Sequence, residues 1–490
     1  VAEVKTFKRW LYLLHRWFGI AMCLLIALWF ATGIIMMYVE YPELTEEERL
    51  AQLPALSLGD LRLNAAEAAA RLPYAAKVFS SVSLSSVLGR PAYRFVDLRG
   101  SYATVFADDG SQFEGLDAAQ AEAVAQGSGF ASAGSKASHL ALLDMDQWTV
   151  SSALHPYRPL HKVALDDAAG TILYLSDGSG QVVRDTTRNE RFWNWLGSTI
   201  HWIYPWQLRR NADLWAEIVI WLSVAGLVCV LSGGIIGFLR LRIRKPYHGE
   251  RYTPYRGWQK WHHVLGLGSL VFLLTFMFSG LMSMSPWGVF DNNTSASEAF
   301  ARYAGAPLQE LGSFPGLASL TSQAQAGLKE VQWTRLGGTG YLVLAYSATD
   351  RRVLGQHGML GATALQERVT AAAAALLPEA RLVGSEVLYS HDNYYYSHHQ
   401  RYRPLPVLRV RYDDAEASWF HLDLSSGQVL GRLTATDRVA RWLYSGLHSL
   451  DFRPLFPVRP LWDLVVILLC LVGAAFSVTS VWIGWRRLWH

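Results

Sequence analysis

Residues 17–39 read WFGIAMCLLIALWFATGIIMMYV, a run without a single charge. As a helix it is long enough to cross the roughly 30 Å apolar core of a bilayer, which needs about 20 residues. The run is too long and too aromatic for the apolar part of a signal peptide. Residues 38–42 offer no small-residue cleavage site, so it reads as a retained helix. Three more uncharged stretches of this kind follow, 218–239, 264–290 and 464–485. Four spans explain why 51% of the 490 residues are hydrophobic and only 17% charged, a balance outside that of soluble or disordered chains. The 20 Trp and 22 Tyr suit the two membrane–water interfaces, where such rings collect. A net charge of +4, scattered along the chain, gives no footprint for nucleic acid.

Short loops set the orientation. Arg240, Arg242, Arg244, Lys245, Arg251, Arg256 and Lys260 lie between the second and third spans, Lys5, Lys8, Arg9 and Arg16 precede the first, and Arg486 and Arg487 follow the last. The positive-inside rule puts this loop and both termini in the cytoplasm. The expected organisation is an N-terminal segment with the first span (1–40), a first external α+β domain (41–212), the second span (213–240), a basic cytoplasmic loop (241–260), the third span (261–290), a second external α+β domain (291–460) and the last span with the C-terminus (461–490). The external parts would be periplasmic in a Gram-negative cell, making this a multi-pass inner-membrane protein. All three Cys (Cys23, Cys229, Cys470) fall in spans, so the external parts carry no disulfides.

Two membrane–domain–membrane units invite a search for repeats, and one offset of 247 works almost throughout. It carries His15 to His262, Gly33 to Gly280, His201 to His448, Gly237 to Gly484, and Trp195-Leu196 to Trp442-Leu443. Both units run in the same direction, a parallel repeat about an axis along the membrane normal. The expected fold is therefore a four-helix membrane bundle made by internal duplication, with two external α+β domains.

The same axis places His15 opposite His262 near the cytoplasmic face and His201 opposite His448 near the outer face. Two facing imidazoles at each depth are what a six-coordinate haem b needs, and without C-x-x-C-H covalent attachment is excluded. These four histidines are the candidate axial ligands of two haems. The bland alternative is a set of interfacial histidines bonded to backbone or lipid; two symmetric pairs in otherwise divergent halves weigh against it. Gly33, Gly280, Gly237 and Gly484 are candidates for making room for the macrocycles, or else serve close helix packing. Trp29 and its repeat mate Phe276 are candidates for the electron path between haems, or else core. His263, adjacent to His262, breaks the register and is kept as a spare or a propionate partner.

The chain resembles the PepSY-associated transmembrane-helix proteins. The residues that carry the likeness are His15-Arg16-Trp17-Phe18-Gly19 with Thr32-Gly33, Trp442-Leu443 with Gly446-Leu447-His448-Ser449-Leu450-Asp451-Phe452, and Arg459-Pro460-Leu461-Trp462-Asp463. Better-understood members are similar to inner-membrane reductases of ferric siderophores, with b-type haems in a four-helix scaffold. The resemblance implies PepSY-like external domains and a haem electron conduit here.

Bis-imidazole ligation leaves no open iron position, so the expected role is electron transfer rather than binding of oxygen or substrate. No flavin or nicotinamide domain is expected, because the cytoplasmic parts are short and lack a phosphate-binding fingerprint. The expected donor is quinol or a separate flavoprotein, and the expected acceptor a ferric siderophore or other periplasmic Fe(III) chelate. His391, Asp392, His398 and His399 form a candidate acceptor site, with Asp144, Asp146, Trp148, His155 and His161 as the other half's offering; a polar loop is the alternative reading. No catalytic residue is assigned, and no nucleophile–base pair is recognisable. A haem-free peptidase inhibitor or sensor, and a transporter, are the rival classes.

Overall fold

The long apolar runs fold as the sequence demands. In the computed structural model, which describes residues 2–72, 78–132, 134–249, 251–291, 296–397 and 402–489, they form α1 (Ala2–Met36), α2 (Ala212–Arg240), α3 (Gly257–Gly268), α4 (Leu270–Met282) and α5 (Leu461–Trp489). Among the described residues, three of these helices are long and apolar enough to cross a membrane, or four spans if α3 and α4 count as one. The third span, expected to be continuous over 264–290, is instead bent by 69° between α3 and α4. The bend sits at Ser269, whose hydroxyl donates to the Leu265 carbonyl at 2.5 Å. Gly266 and Gly268 precede it, so low helix propensity and a competing side-chain bond coincide at one turn.

These helices belong to one compact unit, Val1–Tyr41 with Phe192–Asp291 and Thr436–His490. Met22, Ile26, Phe30, Leu273, Phe276, Val466 and Cys470 form its centre. Small residues set the helix spacing: a Cβ on Gly473 would lie 2.6 Å from the Phe30 ring, and one on Gly226 3.2 Å from Met277 Sδ. In an apolar solvent such close approach, rather than burial from water, holds helices together.

Pro42–Arg191 and Asn292–Ala435 form the second unit. The two segments expected to be separate external domains share one sheet here. Its strands are β1 (Phe79–Val87), β2 (Arg90–Asp97) and β3 (Tyr102–Phe106). A sheet of β4 (Ala137–Leu143), β5 (Leu160–Leu165), β6 (Ile172–Ser176) and β7 (Val182–Thr186) follows in the chain. From the second segment come β8 (Glu330–Leu336), β9 (Thr339–Ala345), β10 (Arg351–Gly355) and β11 (Gly358–Met359). The last four are β12 (Leu382–Leu388), β13 (Val407–Tyr412), β14 (Trp419–Asp423) and β15 (Val429–Leu433).

The shared sheet has seven strands in the order β11-β10-β9-β8-β1-β2-β3. Its two halves meet where β1 pairs antiparallel with β8, Leu84 opposite Val331, residues 247 apart in the sequence. Pairing closes two strand edges that separate domains would leave open. It also lets Leu84, Tyr93 and Phe95 share a core with Val331, Leu342 and Leu344. Each segment keeps one four-stranded antiparallel sheet of its own, β4-β5-β6-β7 and β12-β13-β14-β15. Helix Ala118–Gly127, capped by Asp117 with Gln120, lays Ala121 and Ala125 on Val163 and Leu173 of the first. Helix Ala362–Ala373 lays Leu365 and Val369 on Val410 and Phe420 of the second.

Candidate functional site

The structure brings the four sequence-derived histidines together in the two expected pairs. The rings of His15 and His262 lie 6.3 Å apart between centroids, tilted by 40°. Those of His201 and His448 lie 6.1 Å apart at 75°. His15 is on α1 and His262 on α3. His201 and His448 each follow a π-helical turn, Trp195–Thr199 and Trp442–Gly446, an irregularity that recurs at functional sites. Two residues beyond each histidine, Ile203 and Leu450 adopt positive φ of 52° and 51°, which a β-branched residue such as isoleucine rarely does. Trp215 and Trp462 then tie the segment down, donating from Nε1 to the carbonyls of Trp202 at 3.0 Å and Ser449 at 2.9 Å.

Every one of the four rings is oriented through Nδ1. His201 Nδ1 lies 2.9 Å from Thr32 Oγ1, and His448 Nδ1 lies 3.0 Å from Ser279 Oγ. His15 Nδ1 meets the Cys229 carbonyl at 3.1 Å and Ser232 Oγ at 3.3 Å; His262 Nδ1 meets Thr479 Oγ1 and Ser480 Oγ, both at 3.2 Å. The hydroxyl hydrogens are already committed. Thr32 donates to Leu28, Ser232 to Cys229, Ser279 to Phe276 and Thr479 to Phe476, each to a carbonyl on its own helix. A hydroxyl whose hydrogen is spent must accept, so each imidazole carries its proton on Nδ1 and presents the Nε2 lone pair. Fixing the tautomer through the second nitrogen is how proteins prepare a histidine to bind metal.

These hydroxyls escaped the sequence search, although Thr32 with Ser279 and Ser232 with Thr479 obey the offset of 247. Looking for a hydroxyl rather than an identical letter would have found them.

The donor set fits an iron held between two imidazoles. Two metal–imidazole bonds of about 2.0 Å and the radii of two five-membered rings make about 6.3 Å between centroids, close to both observed separations. Glycines admit the rings. A Cβ on Gly33 would lie 3.7 Å from His201 Cε1, one on Gly280 3.6 Å from His448 Cε1, and one on Gly233 only 2.6 Å from His15 Cε1. Gly237 and Gly484, expected beside the inner pair, instead face Leu267 and Cys23 with Ile20, where they serve helix packing. Because His201 packs against Gly33, the two pairs are separated by the rise of α1 from His15 to Gly33, about 27 Å.

Trp29 and Phe276 both sit at the His201–His448 pair. Trp29 Nε1 donates to the His201 carbonyl at 2.8 Å, and the Phe276 ring lies 5.8 Å from that of His448. His263 donates from Nε2 to the Gly237 carbonyl at 2.9 Å, away from the four.

The loop proposed to meet an acceptor is engaged otherwise. Asp392 takes both Nη1 and Nη2 of Arg409, at 2.7 and 3.0 Å, and the amides of Tyr394 and Tyr395. Burial pushes its pKa up, but these donors outweigh it and hold the carboxylate below its usual range. His391 Nε2 meets the Arg403 carbonyl at 3.1 Å. Arg409 also donates to His421, whose pKa burial and that cation push down to about 3. His398 and His399 lie outside the described residues. In the other segment Asp146 accepts from Lys162 and Tyr174, and His161 bridges His139 and Asp177. Among the described residues no group of three or more His, Cys, Asp or Glu is placed to hold a bare metal ion; a haem iron asks for two.

No curated protein matches the chain. The sequence model of the PepSY-associated TM region matches residues 12–487, nearly the whole length, and the chain belongs to that membrane-protein family.

Proposed function

We propose that this protein is an inner-membrane oxidoreductase that binds two haem b groups, one through His15 and His262 and one through His201 and His448. In this reading it passes electrons from quinol or a cytoplasmic flavoprotein to a ferric siderophore or another periplasmic Fe(III) chelate. Bound between two imidazoles, haem iron exchanges single electrons and offers no open position. Reduction of the chelate lowers the charge on its iron and weakens the hold of hard oxygen ligands, releasing Fe(II).

The observation that carries the proposal is the set of four Nδ1–H imidazoles, paired at metal-bridging distance and each backed by an acceptor. The chain's own contribution is to orient Nε2, to cover the rings with Phe276 and Phe476, and to hold the two pairs at different depths. Hydroxyl partners that recur at an offset of 247 favour a duplicated four-helix scaffold. The basic residues between α2 and α3 favour cytoplasmic termini, with the sheet-bearing segments outside.

The test is a visible spectrum of protein purified from haem-replete cells, followed by anaerobic re-oxidation with a panel of ferric siderophores. A Soret band, sharp α-bands after dithionite, and re-oxidation by at least one chelate are expected. A colourless preparation would remove the proposal.

A further inference from the structure

Residues 240–260 carry seven Lys and Arg against one acidic residue, Glu250, which lies outside the described residues. The stretch is folded. Tyr247 and Arg251 pair across a tight turn through amide–carbonyl bonds of 2.7 and 3.3 Å, and the Arg242 amide donates to the Tyr252 carbonyl at 2.9 Å. The Tyr247 hydroxyl donates to the Arg240 carbonyl at 3.1 Å, and the Arg242 guanidinium lies 4.3 Å from the Tyr247 ring centre. Further on, the Tyr255 ring lies 5.4 Å from that of His263, which ties the stretch to α3.

This folding leaves an open hollow of about 580 Å³, lined by His248, Arg251, Tyr255, Arg256 and Lys260 with two glycines. Arg256 and Lys260 are exposed and Arg251 is half-buried, so the cations can be reached from outside. Among the described residues none of the three pairs with a carboxylate; Arg251 donates from Nε to the His248 carbonyl at 3.2 Å. Three permanent positive charges around one hollow repel one another, and an anion seated among them relieves that repulsion.

The surroundings point to a membrane as the source of the anion. Ile243, Tyr252, Trp258 and Trp261 are exposed, Tyr252 by 57% and Trp261 by 55%. The Trp258 ring lies 5.8 Å from that of Trp482 on α5. Indole and phenol rings beside Lys and Arg, at the ends of apolar helices, are the composition of a segment lying in the headgroup layer. Basic hollows next to spanning helices on the cytoplasmic side suit lipid phosphate. The acidic face of a partner protein would instead call for a broad surface, roughly 800 Å² on each side.

We propose that the hollow formed by the 247–251 turn and the start of α3 binds the phosphate of an anionic phospholipid headgroup, held by Arg251, Arg256 and Lys260. The site rests on the membrane-spanning reading of α2 and α3 and makes no use of haem.

Native mass spectrometry of the purified, delipidated full-length protein in detergent, titrated with dioctanoyl phosphatidylglycerol, tests this. One lipid per chain should be retained, at least tenfold more tightly than dioctanoyl phosphatidylcholine, whose phosphate is neutralised by its own ammonium. Arg251→Gln, Arg256→Gln and Lys260→Gln should each weaken retention about fivefold, and the triple variant should bring it to the phosphatidylcholine level. A matched triple variant, Lys5→Gln with Lys8→Gln and Arg9→Gln, removes the same charge from the start of α1, outside the lining, and should bind as the wild type does. Inorganic phosphate should compete only weakly. No retained phosphatidylglycerol on folded wild type, or equal binding by wild type and the triple hollow variant, would overturn the proposal. So would equal weakening by both triple variants, which would make the attraction one of diffuse charge. Saturable binding of inorganic phosphate that the lipid cannot displace would overturn it as well, by assigning the hollow to a free oxyanion. Because the readout involves no haem, its failure leaves the haem reading standing, and a colourless preparation can still be titrated.

Discussion

The two histidine pairs reach the same separation by opposite divisions of labour. In the His15–His262 pair the imidazoles project from α1 and α3, and their Nδ1 acceptors come from α2 and α5. In the His201–His448 pair the imidazoles come from the short segments that precede α2 and α5, and the acceptors Thr32 and Ser279 come from α1 and α4. Helix α1 thus supplies a ring at one depth and a hydroxyl at the other. The inner rings are crowded by Gly233 and by Phe476, which stacks on His262 at 4.9 Å. The outer rings rest on irregular backbone and on single hydroxyls. The first pair stands on helices with two Nδ1 partners for each ring, and the second on irregular backbone with one hydroxyl for each.

Substituting a ring should break the comparison most completely. His15→Ala or His262→Ala is expected to remove one low-spin component from the reduced spectrum, about half the haem signal, and His201→Ala or His448→Ala the other. Loss of the same component from mutants of different pairs would show that the pairing is wrong.

Gly233→Ala comes next, because its Cβ would collide with His15 at 2.6 Å, whereas Gly33→Ala and Gly280→Ala meet only ordinary contacts near 3.7 and 3.6 Å. The inner component should be lost or displaced in Gly233→Ala and the outer one retained in the other two; equal spectra for all three would contradict the crowding argument.

Removing hydroxyls should have a smaller effect. Thr32→Val and Ser279→Ala take away a hydroxyl at 2.9 and 3.0 Å from an outer ring's Nδ1, while Ser232→Ala takes away a more distant one, at 3.3 Å, and leaves His15 the Cys229 carbonyl. A hydrogen bond worth about 1 kcal/mol corresponds to about 40 mV for one electron. Its loss makes the imidazole a poorer donor, so the outer potential should rise, as redox titration would read, and the Ser232→Ala shift should be smaller.

The smallest effect should lie away from both pairs. Burial, with Glu48 and Glu190 nearby, raises the Asp185 pKa to about 7. The folded state therefore holds a proton that the unfolded state has lost above about pH 4, and stability from this group falls as pH rises toward 7. Asp185→Asn should raise the unfolding midpoint at pH 8, change little at pH 4, and leave both spectral components in place.

The spans and the two histidine pairs were legible in the sequence because each depends on composition or on one offset. What was illegible depended on contacts with no local signal. Pairing of β1 with β8 joins strands some 250 positions apart, and alternation within either strand looks the same whether or not the other is its neighbour. The bend at Ser269 hid in an uncharged run that reads as one continuous span. Asp392 and His391 read as part of an acceptor site because residue type alone cannot show that Arg409 claims the carboxylate. Gly237 and Gly484 were misplaced because helical spacing fixes a face but not which neighbour covers it.

Leu84 lies opposite Val331, 247 positions away, and under the duplication proposed above this has a bearing on ancestry. A half-length gene encoding one copy would yield a chain whose β1 ends in an open edge matched only by another β1. Such a protein would assemble as a homodimer, its existence tied to its concentration. Fusion makes that encounter intramolecular and lifts the requirement that both copies mutate together. The freedom shows in the second unit, where one half carries a His139–His161–Asp177 chain and the other an Arg409–His421–Asp392 network.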